Sequence, residues 1–77
     1  MNEQLLSRVR EIASDVLQAD VTAESSPETI ESWDSVRHLN LVLALEEEYG
    51  FEFLPEEMDQ AKSVGSLALL ISAKRGV

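Results

Sequence analysis

With 77 residues, 15 of them acidic and 6 basic, and a formal net charge of −9, the chain reads as one acidic domain spanning 1–77, whose surface repels nucleic acid and anionic lipid and favours basic partners. Cysteine is absent, which excludes disulfides, thiolate metal sites and cysteine nucleophiles, and the lone His38 cannot build a histidine metal cluster. A domain this small buries only about 60% of the surface its unfolded chain exposes, so a self-contained catalytic cleft is hard to fit when ligand pockets alone take roughly 300–1,000 Å³.

The N-terminal segment is charged and lacks the apolar run of a signal peptide. Nothing approaches the apolar length of a membrane span, and a soluble, cytoplasmic monomer is expected. A first helix is predicted over 3–18. Leu5, Val9, Ile12 and Val16 recur at helical spacing, Leu6, Ala13 and Leu17 widen the stripe, and Asn2 is the expected N-cap. Residues 19–33 form a long connection in which Asp20, Thr22, Ser25, Ser26 and Pro27 break any periodicity. A connection this long in so small a domain is functional or pinned by its own side chains. Ile30 and Trp33 are the expected pins, with room for one helical turn around 27–31.

The second helix is predicted over 35–49, with Asp34 as N-cap and Gly50 as the left-handed stop. Val36, Leu39, Leu41, Val42, Leu43, Leu45 and Tyr49 cover more than half of its wheel, which predicts a central helix packed on several sides. Residues 51–54 alternate too briefly for a strand with no second strand to pair, and are read as an extended link with Phe51 or Phe53 inward. A short helix follows at about 55–61, opened by Pro55 with Glu56 and Glu57 in its first turn and Met58 and Ala61 facing the core. The last helix starts between Ser63 and Ser66 and runs to about Ala73. Val64, Leu67, Leu70 and Ile71 line one side, and Lys74 and Arg75 lie at its negative end. The expected fold class is therefore all-α: a small four-helix bundle, three main helices plus a short one, with a long loop after the first.

The chemistry is concentrated at Asp34-Ser35-Val36. Ser35 heads the second helix, where peptide N–H groups are unpaired and the helix dipole is positive, so a phosphate on that hydroxyl is electrostatically favoured. Ser35 is read as an attachment point rather than a catalyst. The dipeptide alone is weak, since Asp and Ser begin many helices.

The segment from Trp33 to Gly50 resembles the acyl carrier protein family. In that family an Asp-Ser-Leu motif opens the second helix and a Leu-Glu-Glu-Glu-Phe-like run closes it about ten residues later. Asp34-Ser35-Val36 and Leu45-Glu46-Glu47-Glu48-Tyr49 match both parts at that separation. The likeness is sharpest over 33–54, and helix order, loop and length extend it over the chain. The resemblance implies that Ser35 carries 4′-phosphopantetheine, transferred from coenzyme A by a phosphopantetheinyl transferase with a magnesium ion. It implies a carrier, not an enzyme, whose imported thiol holds acyl groups as thioesters for partner enzymes with basic docking surfaces. Val36 corresponds to a family position that inserts into partner surfaces.

Two positions depart from the fatty-acid type, which is usually acidic two and five places after the serine: Arg37 and Asn40 stand there. This tilts the expectation toward a specialised lipid or polyketide-type pathway, because charge juxtaposition selects partners. The other reading of Arg37 is a solvated helix residue. Glu46, Glu47 and Glu48, continued by Glu52 and Glu56, form either a solvated acidic face or a recognition surface for Lys/Arg-rich enzymes; the calcium-loop spacing is absent. Trp33 is expected to anchor the loop, and His38 to pack or touch a partner rather than act as a base for Ser35. The alternatives are a peptidyl carrier, disfavoured by Ser32-Trp33 where Gly-Gly is usual, a structural or regulatory module that keeps the fold without the arm, and a small hydrolase, for which only His38 offers a base.

Overall fold

A computed structural model describes residues 3–75 of the chain, and no strand occurs among them. Four helices follow in order: α1 over Glu3–Leu17, α2 over Ser35–Tyr49, α3 over Pro55–Gln60 and α4 over Val64–Arg75. The expected N-cap Asn2 lies outside the described residues, as does the side chain of Arg75.

The periodic stripe of α1 becomes the spine of the core. Leu5, Val9, Ala13 and Leu17 are buried, with Leu6, Ile12 and Val16 packed around them. Burying each large aliphatic side chain is worth about 1.5–3 kcal/mol. It is α1, not α2, that packs extensively against both α2 and α4. The expectation of a central second helix is thus corrected. Leu41, Val42 and Leu45 of α2 are buried, while Val36, Leu39 and Leu43 are exposed. The excess apolar surface on the α2 wheel faces outward, not into a second packed layer.

The C-terminal turn of α1 leaves four carbonyls without helical partners, and each finds a donor. Gln18 takes the left-handed conformation, with φ of 56°, and lets Ala19 N donate back to Ser14 O at 3.3 Å. Gln18 Nε2 donates to Asp15 O at 2.6 Å, Arg37 Nη1 to Val16 O at 2.7 Å and Ser32 Oγ to Leu17 O at 2.6 Å. Two of these donors flank Ser35, so the end of α1 fixes the start of α2.

The long loop is pinned as expected at Trp33, which is 2% exposed, and by the half-buried Ile30 packed on the core. Ser26 O accepts from both Thr29 N and Ile30 N, which is the single helical turn anticipated near 27–31. Further ties run to other elements. Arg10 Nε donates to Val21 O, Val64 N to Ser25 O and Gly65 N to Ala23 O. The Ala23 carbonyl comes so close that a Cβ on Gly65 would lie 2.9 Å from its oxygen. Gly65 is there for close approach, whereas Gly50, at φ of 73°, is there for its left-handed backbone.

The link 51–54 has Phe53 buried and Phe51 packed edge-on against it, ring centroids 5.0 Å apart. Helix α3 contributes no buried side chain of its own, although Met58 is half-buried and Ala61, just beyond its end, is buried. Polar ties hold it instead. Glu57 accepts from Leu54 N at 2.7 Å and pairs with Lys74 of α4 at 2.8 Å. Lys74 also lies 5.7 Å above the Phe51 ring. In α4, Val64, Leu67, Ala68, Ile71 and Ser72 are buried, and Ser63 caps the helix by accepting from Ser66 N at 3.0 Å.

Candidate functional site

Ser35 is the first residue of α2 and is exposed. Asp34 precedes it in extended conformation and accepts from Arg37 N at 2.8 Å, while Asp34 O accepts from His38 N at 2.8 Å. The cap expected from the sequence is present, and it holds the Ser35 backbone in the first turn with the side chain outside the bundle.

An open groove of about 590 Å³ runs beside this hydroxyl, between the start of α2 and α3. Trp33, Leu39, Pro55 and Met58 give it apolar walls, and Asp59 and Lys62 stand at its α3 side. One hydrogen-bonded relay builds the near wall. Trp33 Nε1–H donates to His38 Nδ1 at 3.0 Å, and His38 Nε2 lies 3.0 Å from Met58 O. A carbonyl only accepts, so Nε2 carries the proton and Nδ1 is left to accept from the indole. The indole and imidazole planes lie 29° apart with centroids separated by 5.9 Å. Both nitrogens of the one imidazole are committed, so His38 is a packing residue of this wall and not a free base for Ser35.

The other expected contact residues divide into two groups. Val36, Asn40, Glu47, Glu52 and Glu56 are exposed. Arg37, Glu46 and Glu48 are tied into the chain. Arg37 reaches back to Val16 O, Glu46 accepts from Phe53 N at 2.6 Å, and Glu48 pairs with Arg8 at 3.1 Å. Hydrogen bonding to Arg8 holds the Glu48 carboxyl below its ordinary range. The glutamate run is therefore not one continuous face. Among the described residues no group of three or more His, Asp or Glu side chains is placed to hold a metal ion.

These features define a helical bundle that displays one hydroxyl at a helix mouth above an open groove. No family model matches the chain. It is 35% identical to the acyl carrier protein of Thermosynechococcus vestitus over 96% of each chain. In structure it is similar to the holo acyl carrier protein from Geobacter metallireducens, determined in solution by NMR, with a TM-score of 0.82 and 33% identity over 94% of this chain and 86% of that one. The chain belongs to the acyl carrier protein family.

Proposed function

We propose that the chain acts as one stand-alone carrier domain with 4′-phosphopantetheine on Ser35, shuttling acyl thioesters between partner enzymes. The observation that carries this is the exposed Ser35 side chain at the capped N-terminus of α2, open to another protein's active site. The residues fit the group. A phosphodiester there meets the positive end of α2, a favourable term of about 0.3–1 kcal/mol, and the groove beside it gives a flexible arm an apolar wall of Trp33, Leu39 and Met58.

Loading replaces the Ser35 O–H bond with an O–P bond to the β-phosphorus of coenzyme A, and adenosine 3′,5′-bisphosphate leaves. The arm supplies the thiol that this cysteine-free chain lacks. The chain's own residues set the position. Asp34 caps the helix, Ser32 and Arg37 fasten its mouth to α1, and the Trp33–His38–Met58 relay builds the groove wall. With His38 engaged on both nitrogens, the base for Ser35 comes from the transferase, which supports a carrier rather than a hydrolase.

Positions 37 and 40 present no carboxylate to a partner. That supports partners unlike the general fatty-acid set, in a specialised lipid or polyketide-type route. Intact mass after incubation with coenzyme A, magnesium and a broad-specificity phosphopantetheinyl transferase tests the reading. Wild type gains one phosphopantetheinyl group and Ser35→Ala gains none. A wild-type chain that stays unmodified, both there and when isolated from its source cell, would instead be a structural or regulatory module with the carrier fold.

A further inference from the structure

We propose that Lys62 is the anion-holding residue of the groove beside Ser35, pairing with a negatively charged group of the loaded arm and drawing the arm down between α2 and α3. This rests on the carrier reading of Ser35. The anion is the arm's own phosphodiester or a carboxylate at the free end of the acyl group, since both offer a lysine the same charged oxygens. The observation is where the chain's few positive charges go: six residues are basic against fifteen acidic ones. Arg8 pairs with Glu11 and Glu48, Arg10 donates to Val21 O, Arg37 donates to Val16 O, and Lys74 pairs with Glu57. Among the described residues Lys62 is the one basic side chain without a hydrogen bond or ion pair, and it lines the groove onto which Ser35 opens.

Local structure explains why Lys62 is left unpaired yet firmly placed. Asp59, three residues earlier, is its natural partner by spacing alone. That pair is not made, because α3 ends at Gln60 and helical spacing no longer puts the two on one face. The backbone under Lys62 is held on both sides. Ala61 N donates to Glu57 O at 2.9 Å, Lys62 N to Gln60 O at 3.1 Å and Val64 N to Ser25 O at 3.1 Å. Ala61 and Val64 are buried. The ammonium is thus carried from a fixed point on the α3 side of the groove.

Charge complementarity identifies the occupant. Lys62 bears the one positive charge among the residues lining the groove, because His38 keeps a ring nitrogen as an acceptor and adds none. The Asp34 carboxylate is already engaged by Arg37 N, which leaves Asp59 as the competing acid. Loading brings a permanent negative charge to Ser35 on the same groove. Beside the apolar walls of Trp33, Leu39 and Met58, attraction between that anion and Lys62 is weakened less than in open water. Exposed ion pairs still add little to stability, so the lysine itself, and not a melting point, is what to observe.

The test uses the full chain labelled with nitrogen-15 lysine. Its two lysines give two ammonium signals, with Lys74, paired to Glu57, as the internal control. A purified broad-specificity phosphopantetheinyl transferase with magnesium loads the chain from coenzyme A, acetyl-coenzyme A or succinyl-coenzyme A, and intact mass confirms each form. Loading should shift the Lys62 signal and leave that of Lys74 in place. Raising sodium chloride from about 0.05 to 0.5 M should remove at least about half of that shift, because an exposed pair is screened. If the free-thiol arm alone produces the shift, and its phosphorus-31 signal moves in Lys62→Gln and returns in Lys62→Arg, the anion is the phosphodiester. If only the succinyl form produces it, the anion is the acyl carboxylate, and the cargo class is the half-thioester of a dicarboxylic acid. A Lys62 signal that is the same in all three loaded forms as in the unloaded chain marks a solvated lysine, and the inference fails alone. It also fails alone if the shift is indifferent to salt, or if Lys62→Gln changes only the rate of loading, since the lysine then meets the transferase. A wild type that does not load at all brings down the carrier reading and this one together.

Discussion

Arg37 closes the end of α1: its Nη1 donates to the Val16 carbonyl at 2.7 Å, two residues after the candidate hydroxyl. A position that sequence alone assigns to a partner face or to open solvent is bound within the chain. The side chain brings a positive charge to the negative end of α1, where helix-dipole interactions favour it.

Removing that donor should therefore register in stability. Arg37→Gln should cost about 1 kcal/mol, read as a fall of roughly 4–8 °C in thermal midpoint for a domain of this size. Arg37→Lys should recover part of it, since a lysine keeps the charge but not the planar fork. An Arg37→Gln protein that melts with the wild type would mean that Val16 O is satisfied by water and that Arg37 is available to partners after all.

His38 and Trp33 should be coupled. Trp33 is 2% exposed and its indole N–H donates to His38 Nδ1. His38→Ala strands that donor, a loss of about 1–3 kcal/mol. In a Trp33→Phe background there is no donor to strand, so the same substitution should cost measurably less. Urea denaturation of the four proteins in a double-mutant cycle gives the coupling, and zero coupling would refute the relay. Nitrogen-15 NMR should independently find the proton on Nε2.

Glu57 should shape the acid limb of stability. Its carboxyl is held below the ordinary value of 4.5, first by the Leu54 N–H and then by Lys74. A carboxylate whose folded value is depressed binds fewer protons folded than unfolded near pH 4.5. Its contribution is thus present above that pH and is lost as pH falls through the folded value. Thermal midpoints of wild type and Glu57→Gln should be separated at pH 7 and converge as pH drops below about 4.5. Parallel curves down to pH 3 would remove Glu57 from the account.

The two glycines should fail for different reasons. Gly65→Ala drives a Cβ into the Ala23 carbonyl at 2.9 Å, against backbone that is itself hydrogen-bonded to Gly65 N. The expected cost is about 1–3 kcal/mol, with loop residues near Ala23 losing amide-exchange protection. Gly50→Ala meets nothing within 4 Å, and only its φ of 73° opposes a side chain. Its cost should be about 1 kcal/mol, confined to the end of α2. Equal, local effects at both sites would contradict the close packing of the loop on α4.

Local pattern was enough for the helices. The stripe from Leu5 to Leu17 and the punctuation of Asp34, Gly50 and Pro55 set boundaries that match to within two residues. The Asp34–Ser35 cap was legible because the side chain and the N–H it receives are three residues apart. What stayed hidden depends on residues distant in sequence. No periodicity says that Arg37 turns to Val16, that His38 joins Trp33 to Met58, or that Glu46 serves Phe53. The wheel of α2 misled for a physical reason: it counts apolar residues but cannot tell a face that meets α1 from one left exposed, as Val36, Leu39 and Leu43 are. Gln18 in a left-handed conformation and Gly65 beneath a carbonyl leave no composition signal either.

Asp34 allows capping to be separated from charge. Its carboxylate accepts from Arg37 N, and asparagine accepts there equally well. Asp34→Asn should stay within about 0.5 kcal/mol of wild type, whereas Asp34→Ala should lose about 1 kcal/mol, both measured by urea denaturation. The pair then discriminates at Ser35. With the cap and the helix mouth intact in Asp34→Asn, any loss of loading by the transferase belongs to the missing negative charge beside the hydroxyl. If Asp34→Asn loads normally and only Asp34→Ala is slow, the motif's aspartate acts by fixing the first turn of α2, and a slow Asp34→Ala should regain rate under conditions that stabilise the helix. An Asp34→Asn chain as unstable as Asp34→Ala would show that the cap is not made through an oxygen that asparagine can supply.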